Sequence, residues 1–193
     1  MSGGKKSQQG IPQGGVISPL LANVYINRFL RAWTERGKGE RYQAYVVNYA
    51  DDLVIVSRGQ AEAALSWFRW AMTKLGLTVN EQKTFVRNAK EESFDFLGYT
   101  FGPEHHRRDG HWYLSAKPSK KSIQRLKSKL RAHLRRGNMQ PWERVRDRLN
   151  AMLRGWAAYF AYGTRYMAYR AVDNYVYELT RHFLCKRHKV PSH

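Results

Sequence analysis

Cysteine is almost absent: Cys185 is the only one in 193 residues. That excludes a disulfide within the chain and any zinc site built from several thiolates, and it fits a reducing compartment such as the cytoplasm. Acidic residues are also scarce, with 15 Asp and Glu against 34 Lys and Arg and a formal net charge of +19. A chain so basic expects a polyanionic partner, nucleic acid ahead of an anionic membrane. Long hydrophobic runs are missing too. No stretch reaches the ~20 apolar residues of a membrane-spanning helix, and Met1–Gln9 lacks the apolar centre of a signal peptide, so a soluble protein is expected.

What is present is enough for a core: 42% of residues are apolar, and the length suits one ordinary domain or two small ones. Charge is distributed unevenly. Residues 1–100 hold 13 basic and 9 acidic side chains, and residues 101–193 hold 21 and 6. The second half is therefore the expected electrostatic footprint.

The pattern along the chain predicts an α+β protein. Met1–Gln9 reads as a polar lead-in, followed by the tight Gly10-Ile11-Pro12-Gln13-Gly14-Gly15 loop. A helix is expected from Ser18, as cap, and Pro19 to about Trp33, with Leu20, Leu21, Val24, Ile26 and Leu30 on its apolar face. Two β-branched runs, Tyr45-Val46-Val47 and Leu53-Val54-Ile55-Val56, flank Tyr49-Ala50-Asp51-Asp52 and predict a hairpin over about 43–57 with two carboxylates at its tip. Carboxylates packed so closely repel, and a divalent cation such as Mg²⁺ relieves the repulsion. A solvated turn accounts for the same four residues. Gln60–Leu75 reads as a helix ending at Gly76, then Leu77-Thr78-Val79 as a short strand. Phe94–Phe101 reads as one strand returning at Trp112–Leu114, with Pro103–Gly110 as the loop. After Pro118 three helical units are expected: Ser119–Arg136, Pro141 to about Tyr162, and Thr164–Cys185, the last with Met167 among its inward residues. The first carries Ile123, Leu126, Leu130 and Leu134 on one stripe and eight Lys or Arg with no acid. Lys186–His193 reads as a frayed basic tail.

The order of these parts resembles the palm of reverse transcriptases. Ile11-Pro12-Gln13-Gly14-Gly15-Val16-Ile17-Ser18-Pro19-Leu20-Leu21-Ala22-Asn23, Tyr49-Ala50-Asp51-Asp52, Gly76-Leu77-Thr78-Val79-Asn80-Glu81-Gln82-Lys83-Thr84 and Phe94-Asp95-Phe96-Leu97-Gly98-Tyr99 are similar to segments of group II intron-encoded proteins. Leu153-Arg154-Gly155-Trp156-Ala157-Ala158-Tyr159-Phe160 and Arg187-His188-Lys189-Val190 resemble that family's maturase segment, the thumb-like domain X. The resemblance implies a partial palm over residues 1–102, a connecting loop or hairpin over 103–118, and a helical thumb/maturase bundle over 119–193.

It also implies roles. Asp51 and Asp52 are the expected Mg²⁺ ligands, and Pro12, Gln13, Gly14, Gly15 and Tyr49 the expected contacts to nucleotide and template. Lys83 is expected near the triphosphate as a proton donor to the leaving group, although a solvated surface lysine fits it as well. Phe96, Leu97, Gly98 and Tyr99 match the primer grip. Lys120, Lys121, Arg125, Lys127, Lys129, Arg131, Arg135, Arg136, Arg154, Trp156, Arg187, His188 and Lys189 are the expected RNA contacts. Expected partners are group II intron RNA, an RNA–DNA hybrid and, when the fold is complemented, deoxynucleoside triphosphates. The family pattern has a third metal-binding aspartate and fingers upstream of the Pro-Gln-Gly-Gly loop, whereas here only twelve residues precede Gln13 and none is acidic. The expectation is a chain that does not polymerise alone and that self-associates or pairs with a separate N-terminal half. An RNA-binding maturase remnant without catalysis, and a decayed reading frame, are the alternatives.

Overall fold

In the N-terminal half, stretches of β-branched residues form the strands and those with helical apolar spacing form helices, and the two pack into one core. The computed structural model describes residues 15–50, 52–106 and 108–191. Its elements are α1 (Ser18–Glu35), α2 (Lys38–Arg41), β1 (Ala44–Tyr49), β2 (Asp52–Ser57), α3 (Ala61–Lys74), β3 (Phe94–Phe96), β4 (Tyr99–His105), β5 (Trp112–Pro118), α4 (Lys120–His133), α5 (Trp142–Tyr159) and α6 (Tyr166–His188). The fold is α+β, and it divides into two compact units, one up to Val86 and one from Arg87 onward. Each has its own core.

In the first unit β1 and β2 form an antiparallel hairpin in the register Tyr45↔Val56, Val47↔Val54 and Tyr49↔Asp52. Alternation sends Ala44, Val46, Leu53 and Ile55 onto the core, and leaves Tyr45 and Tyr49 exposed on the other side. The core is largely aromatic. Phe29 is fully buried, with Phe68 edge-on at 5.3 Å and Trp67 at 5.9 Å, and Trp33 meets Trp67 at 5.5 Å. Helix α3 closes with a Schellman turn: Gly76, at φ +72°, donates to Thr73 O, and Leu77 N donates to Met72 O.

Three sequence expectations fail here. Leu77–Val79 is not a strand. The sheet is two-stranded among the described residues, this segment pairs with no strand among them, and Leu77 and Val79 instead pack onto the core. Ser18 does not cap α1, because it is already the first helical residue and its hydroxyl makes no capping bond. The apolar face of α1 is used only in its C-terminal half, by Phe29, Leu30 and Trp33. Leu20, Leu21 and Val24 are exposed among the described residues and are not part of the core there.

In the second unit β3, β4 and β5 form an antiparallel sheet in that order. The stretch expected as one strand from Phe94 to Phe101 is two, joined at Leu97-Gly98, and the expected loop over Pro103–Gly110 starts late, because Pro103, Glu104 and His105 still belong to β4. Leu97 and Gly98 have φ of +48° and +79°, the backbone of a tight two-residue hairpin turn. Pro103 pairs with Leu114 beyond the end of β3, where β4 is an edge and a missing N–H is tolerated. Gly163 is a true glycine position: its φ is +72°, and an added Cβ would collide with Ala116 O.

Helices α4, α5 and α6 enclose Leu126, Leu130, Leu134, Val145, Leu149, Val172 and Phe183. Ser119 caps α4, its side chain accepting from Ser122 N at 3.1 Å. Met167 is not inward but 66% exposed, because it lies in the first turn of α6, short of the core. The tail is less frayed than expected: α6 continues to His188 and is ended by Lys189 in the left-handed region, with Val190 N donating to Cys185 O. No helix among the described residues is long and apolar enough to cross a membrane.

Candidate nucleic-acid interface

The hairpin of the first unit turns between the paired residues Tyr49 and Asp52, and Ala50 adopts φ +52° there. Asp52 opens β2 opposite Tyr49; both are exposed, and Asp52 makes no salt bridge among the described residues. An exposed carboxylate without a cationic neighbour suits a metal ligand. Asp51, Pro12, Gln13 and Gly14 lie outside the described residues; Gly15 is half-buried just before α1 and accepts from Ser18 N. Among the described residues no three His, Cys, Asp or Glu side chains converge as a metal site. A single carboxylate such as Asp52 does not by itself make a Mg²⁺ site, which is completed by further oxygens such as those of substrate phosphates.

Lys83 sits in a turn that Asn80 organises: Lys83 N and the Thr84 hydroxyl both donate to Asn80 O, and Gln82 N donates to Asn80 Oδ1. The Lys83 side chain is exposed. The neighbouring Glu81 is occupied by Arg69, which donates from Nε and Nη2. That bidentate bond lowers the Glu81 carboxyl and raises the Arg69 guanidinium from their ordinary values.

In the second unit the Leu97-Gly98 turn is seated on the helices. Tyr159 hydroxyl donates to Leu97 O at 2.8 Å, and Tyr99 hydroxyl donates back to Tyr159 O at 2.8 Å. Ser119 N and Ser122 Oγ both donate to Gly98 O at 2.9 Å. Burial raises the Tyr99 phenol, and its ring packs 4.8 Å from Phe160. The four expected primer-grip residues are therefore brought together, and both turn carbonyls are already hydrogen-bonded. Ser119, Ser122 and Tyr159, which do this, were not among the sequence-derived site residues. Two serines just after Pro118 and one tyrosine among twelve carry no signal of partners that lie more than twenty residues away for Ser119 and Ser122 and sixty-two for Tyr159.

Of the expected RNA contacts, Lys120, Lys121, Arg125, Lys129 and Arg131 are exposed on α4, a helix with no acid, and none has a salt-bridge partner among the described residues. Arg135 and Arg136 are exposed just beyond its end, where the helix stops earlier than the sequence suggests. Lys127 points elsewhere: half-buried, its ammonium lies 4.8 Å from the centre of the Tyr175 ring. Arg154, His188 and Lys189 are exposed. Arg187 donates to Gln140 O at 2.9 Å, which ties the end of α6 to the loop before α5. Trp156 is half-buried between Phe160 at 5.0 Å and Tyr169 at 5.6 Å, and its indole N–H finds no acceptor among the described residues.

Two known families match the chain. The family described as reverse transcriptase (RNA-dependent DNA polymerase) matches residues 1–101, and the group II intron maturase-specific domain matches residues 123–193. The chain is 31% identical over 126 residues to protein YkfC of Escherichia coli, a match that takes in 49% of this chain and 33% of that protein. It is 27% identical over 144 residues to the putative COX1/OXI3 intron 1 protein of Saccharomyces cerevisiae, with 49% and 17% covered. The chain thus spans a minor part of the length of either relative. With a reverse-transcriptase match over more than half of its length, followed by a maturase-domain match over the basic helices, the chain belongs to the intron-encoded reverse transcriptase/maturase family.

Proposed function

We propose that this chain binds structured group II intron RNA through the helical unit after Pro118, acting as the thumb/maturase part of its family. The supporting observation is the outer face of α4: five exposed cations, no acid in the helix, and no salt bridge to neutralise them among the described residues. Such a face meets phosphates, giving affinity and salt dependence with little base discrimination. Fluorescence anisotropy with intron RNA across a salt series tests it. Binding should weaken steeply with salt, and Lys121→Gln should flatten the log–log slope by about 1 without changing sequence preference. A slope near zero refutes the reading.

The polymerase role belongs to the first unit. Asp51 and Asp52 would hold Mg²⁺ together with substrate phosphates; when bound, the ion supplies charge neutralisation for nucleotidyl transfer. Tyr49, opposite Asp52, would border the incoming nucleotide, with the Pro12–Gly15 loop, and Lys83 would serve the triphosphate. This unit is proposed to need a partner that supplies further metal ligands. Support comes from the two-stranded sheet, whose outer edges carry no strand among the described residues, and from the exposed apolar start of α1. A separate N-terminal half or a second copy would cover them. Primer extension on an RNA template, with and without such a half, decides between catalysis and RNA binding alone. Asp52→Ala should abolish any extension and leave RNA affinity within twofold. Unchanged extension by Asp52→Ala refutes the metal-ligand assignment.

A further inference from the structure

Between α4 and α5 runs a groove of about 330 Å³. Its floor is apolar, made by Leu126, Met152 and Trp156, and on the α4 side Arg125 and Lys129 line it one helical turn apart. No acid lines it. On the α5 side the groove is bordered by Ala151 and Gly155, also one turn apart.

Gly155 is the informative residue. It lies inside a regular helix, where glycine is less favourable than almost any other residue, and its φ is not in the left-handed region. A Cβ at this position would meet no heavy atom within 4 Å. Neither backbone conformation nor close packing among the described residues asks for glycine here. What its missing side chain does is leave the groove open on that side.

We infer that this groove takes a single unpaired nucleotide turned out of an RNA helix, with the base over the apolar floor beside Trp156 and its phosphate between Arg125 and Lys129. The inference rests on the RNA-binding reading above and adds to it a preference for unpaired nucleotides. The chemistry is matched. A base offers a flat apolar face and a phosphate one negative charge, and the groove offers an apolar floor with an indole and two uncompensated cations along one side. Trp156 is clamped by Phe160 and Tyr169, so the floor is rigid. Bases splayed from bulges and loops and stacked on aromatic rings are the usual targets of selective RNA recognition. A fully paired helix offers phosphates and 2′-hydroxyls to the α4 cations but no free base for the apolar floor.

The test compares two RNA hairpins that differ by one bulged nucleotide, titrated against the full chain by anisotropy at fixed salt. The wild type should prefer the bulged RNA by about tenfold, the scale of one stacked base. Gly155→Met should fill the groove and bring the ratio to about one, with affinity for the paired hairpin within twofold. Methionine favours the helix over glycine. If Gly155→Met nevertheless misfolds by circular dichroism, Ala151→Met, also at an exposed position, gives the same readout. A wild-type ratio near one, or a preference that survives a correctly folded groove-filling variant, overturns the groove and leaves the RNA-binding function standing. Failure to bind either hairpin at low salt overturns both.

Discussion

Gly98→Ala is expected to destabilise the second unit by about 2–3 kcal/mol, from two separable contributions. The first is backbone: alanine at φ +79° costs about 1–2 kcal/mol where glycine costs little. The second is contact: the new Cβ would lie 2.9 Å from Ser122 Oγ and 3.4 Å from the Phe160 ring. The hydroxyl is the soft partner and must swing away, giving up its bond to Gly98 O, which is worth about 1 kcal/mol. Gly110 supplies the control. Its φ is +67° but a Cβ there meets nothing within 4 Å, so Gly110→Ala should show only the backbone cost. Thermal unfolding followed by circular dichroism reads the difference, at roughly 4–8 °C per kcal/mol for a unit of this size. A double-mutant cycle sharpens it: Ser122→Ala should be less costly in the Gly98→Ala background than in the wild type, by about 1 kcal/mol. If Gly98→Ala is no worse than Gly110→Ala, or if the cycle shows no coupling, the turn is not seated on α4 as described.

Two more outcomes follow from the same unit. Leu130 is fully buried, so Leu130→Ala should cost about 2–5 kcal/mol in denaturant unfolding, whereas Met139→Ala, 85% exposed, should change little. Glu104 accepts from Lys117 Nζ at 2.8 Å and from Tyr113 hydroxyl at 3.0 Å, and the lysine chiefly holds its carboxyl below the ordinary range. Its depressed value makes the contribution to stability present above the unfolded-state pKa of about 4.3 and lost as pH falls below it. The stability difference between wild type and Glu104→Gln should therefore shrink as pH is lowered through that region; a difference constant with pH refutes the ion pair's role.

Much of the fold was legible because local signals and burial agree. The hairpin over β1 and β2 follows from β-branched alternation, and α5 follows from Trp142, Val145, Leu149, Met152, Leu153 and Trp156, all of which reach the core. Errors arose where a local signal lacked a tertiary partner. Among the described residues, Leu77-Thr78-Val79 has strand composition but no strand partner, and Leu20, Leu21 and Val24 have helical spacing but stay exposed. The Leu97-Gly98 turn was hidden for a different reason. Its flanking aromatics read as one continuous strand, and the turn needs a non-glycine residue, Leu97, at φ +48°. For the site, cation-rich α4 was visible in composition, but the capture of Lys127 by Tyr175 and of Arg187 by Gln140 is a matter of packing that spacing does not encode.

The bonds from Tyr159, Ser119 and Ser122 to the Leu97-Gly98 turn bear on how the gene tolerates division. The reverse-transcriptase match ends at residue 101, inside β4, and the maturase match begins at residue 123, inside α4. A break introduced between those two segments would strip the helices of the hairpin they are latched to, and leave Tyr159 and Ser122 without acceptors. The natural seam lies earlier, between Val86 and Arg87, so recombination that shuffles these modules is best tolerated there and carries the Phe-Leu-Gly-Tyr hairpin along with the maturase helices.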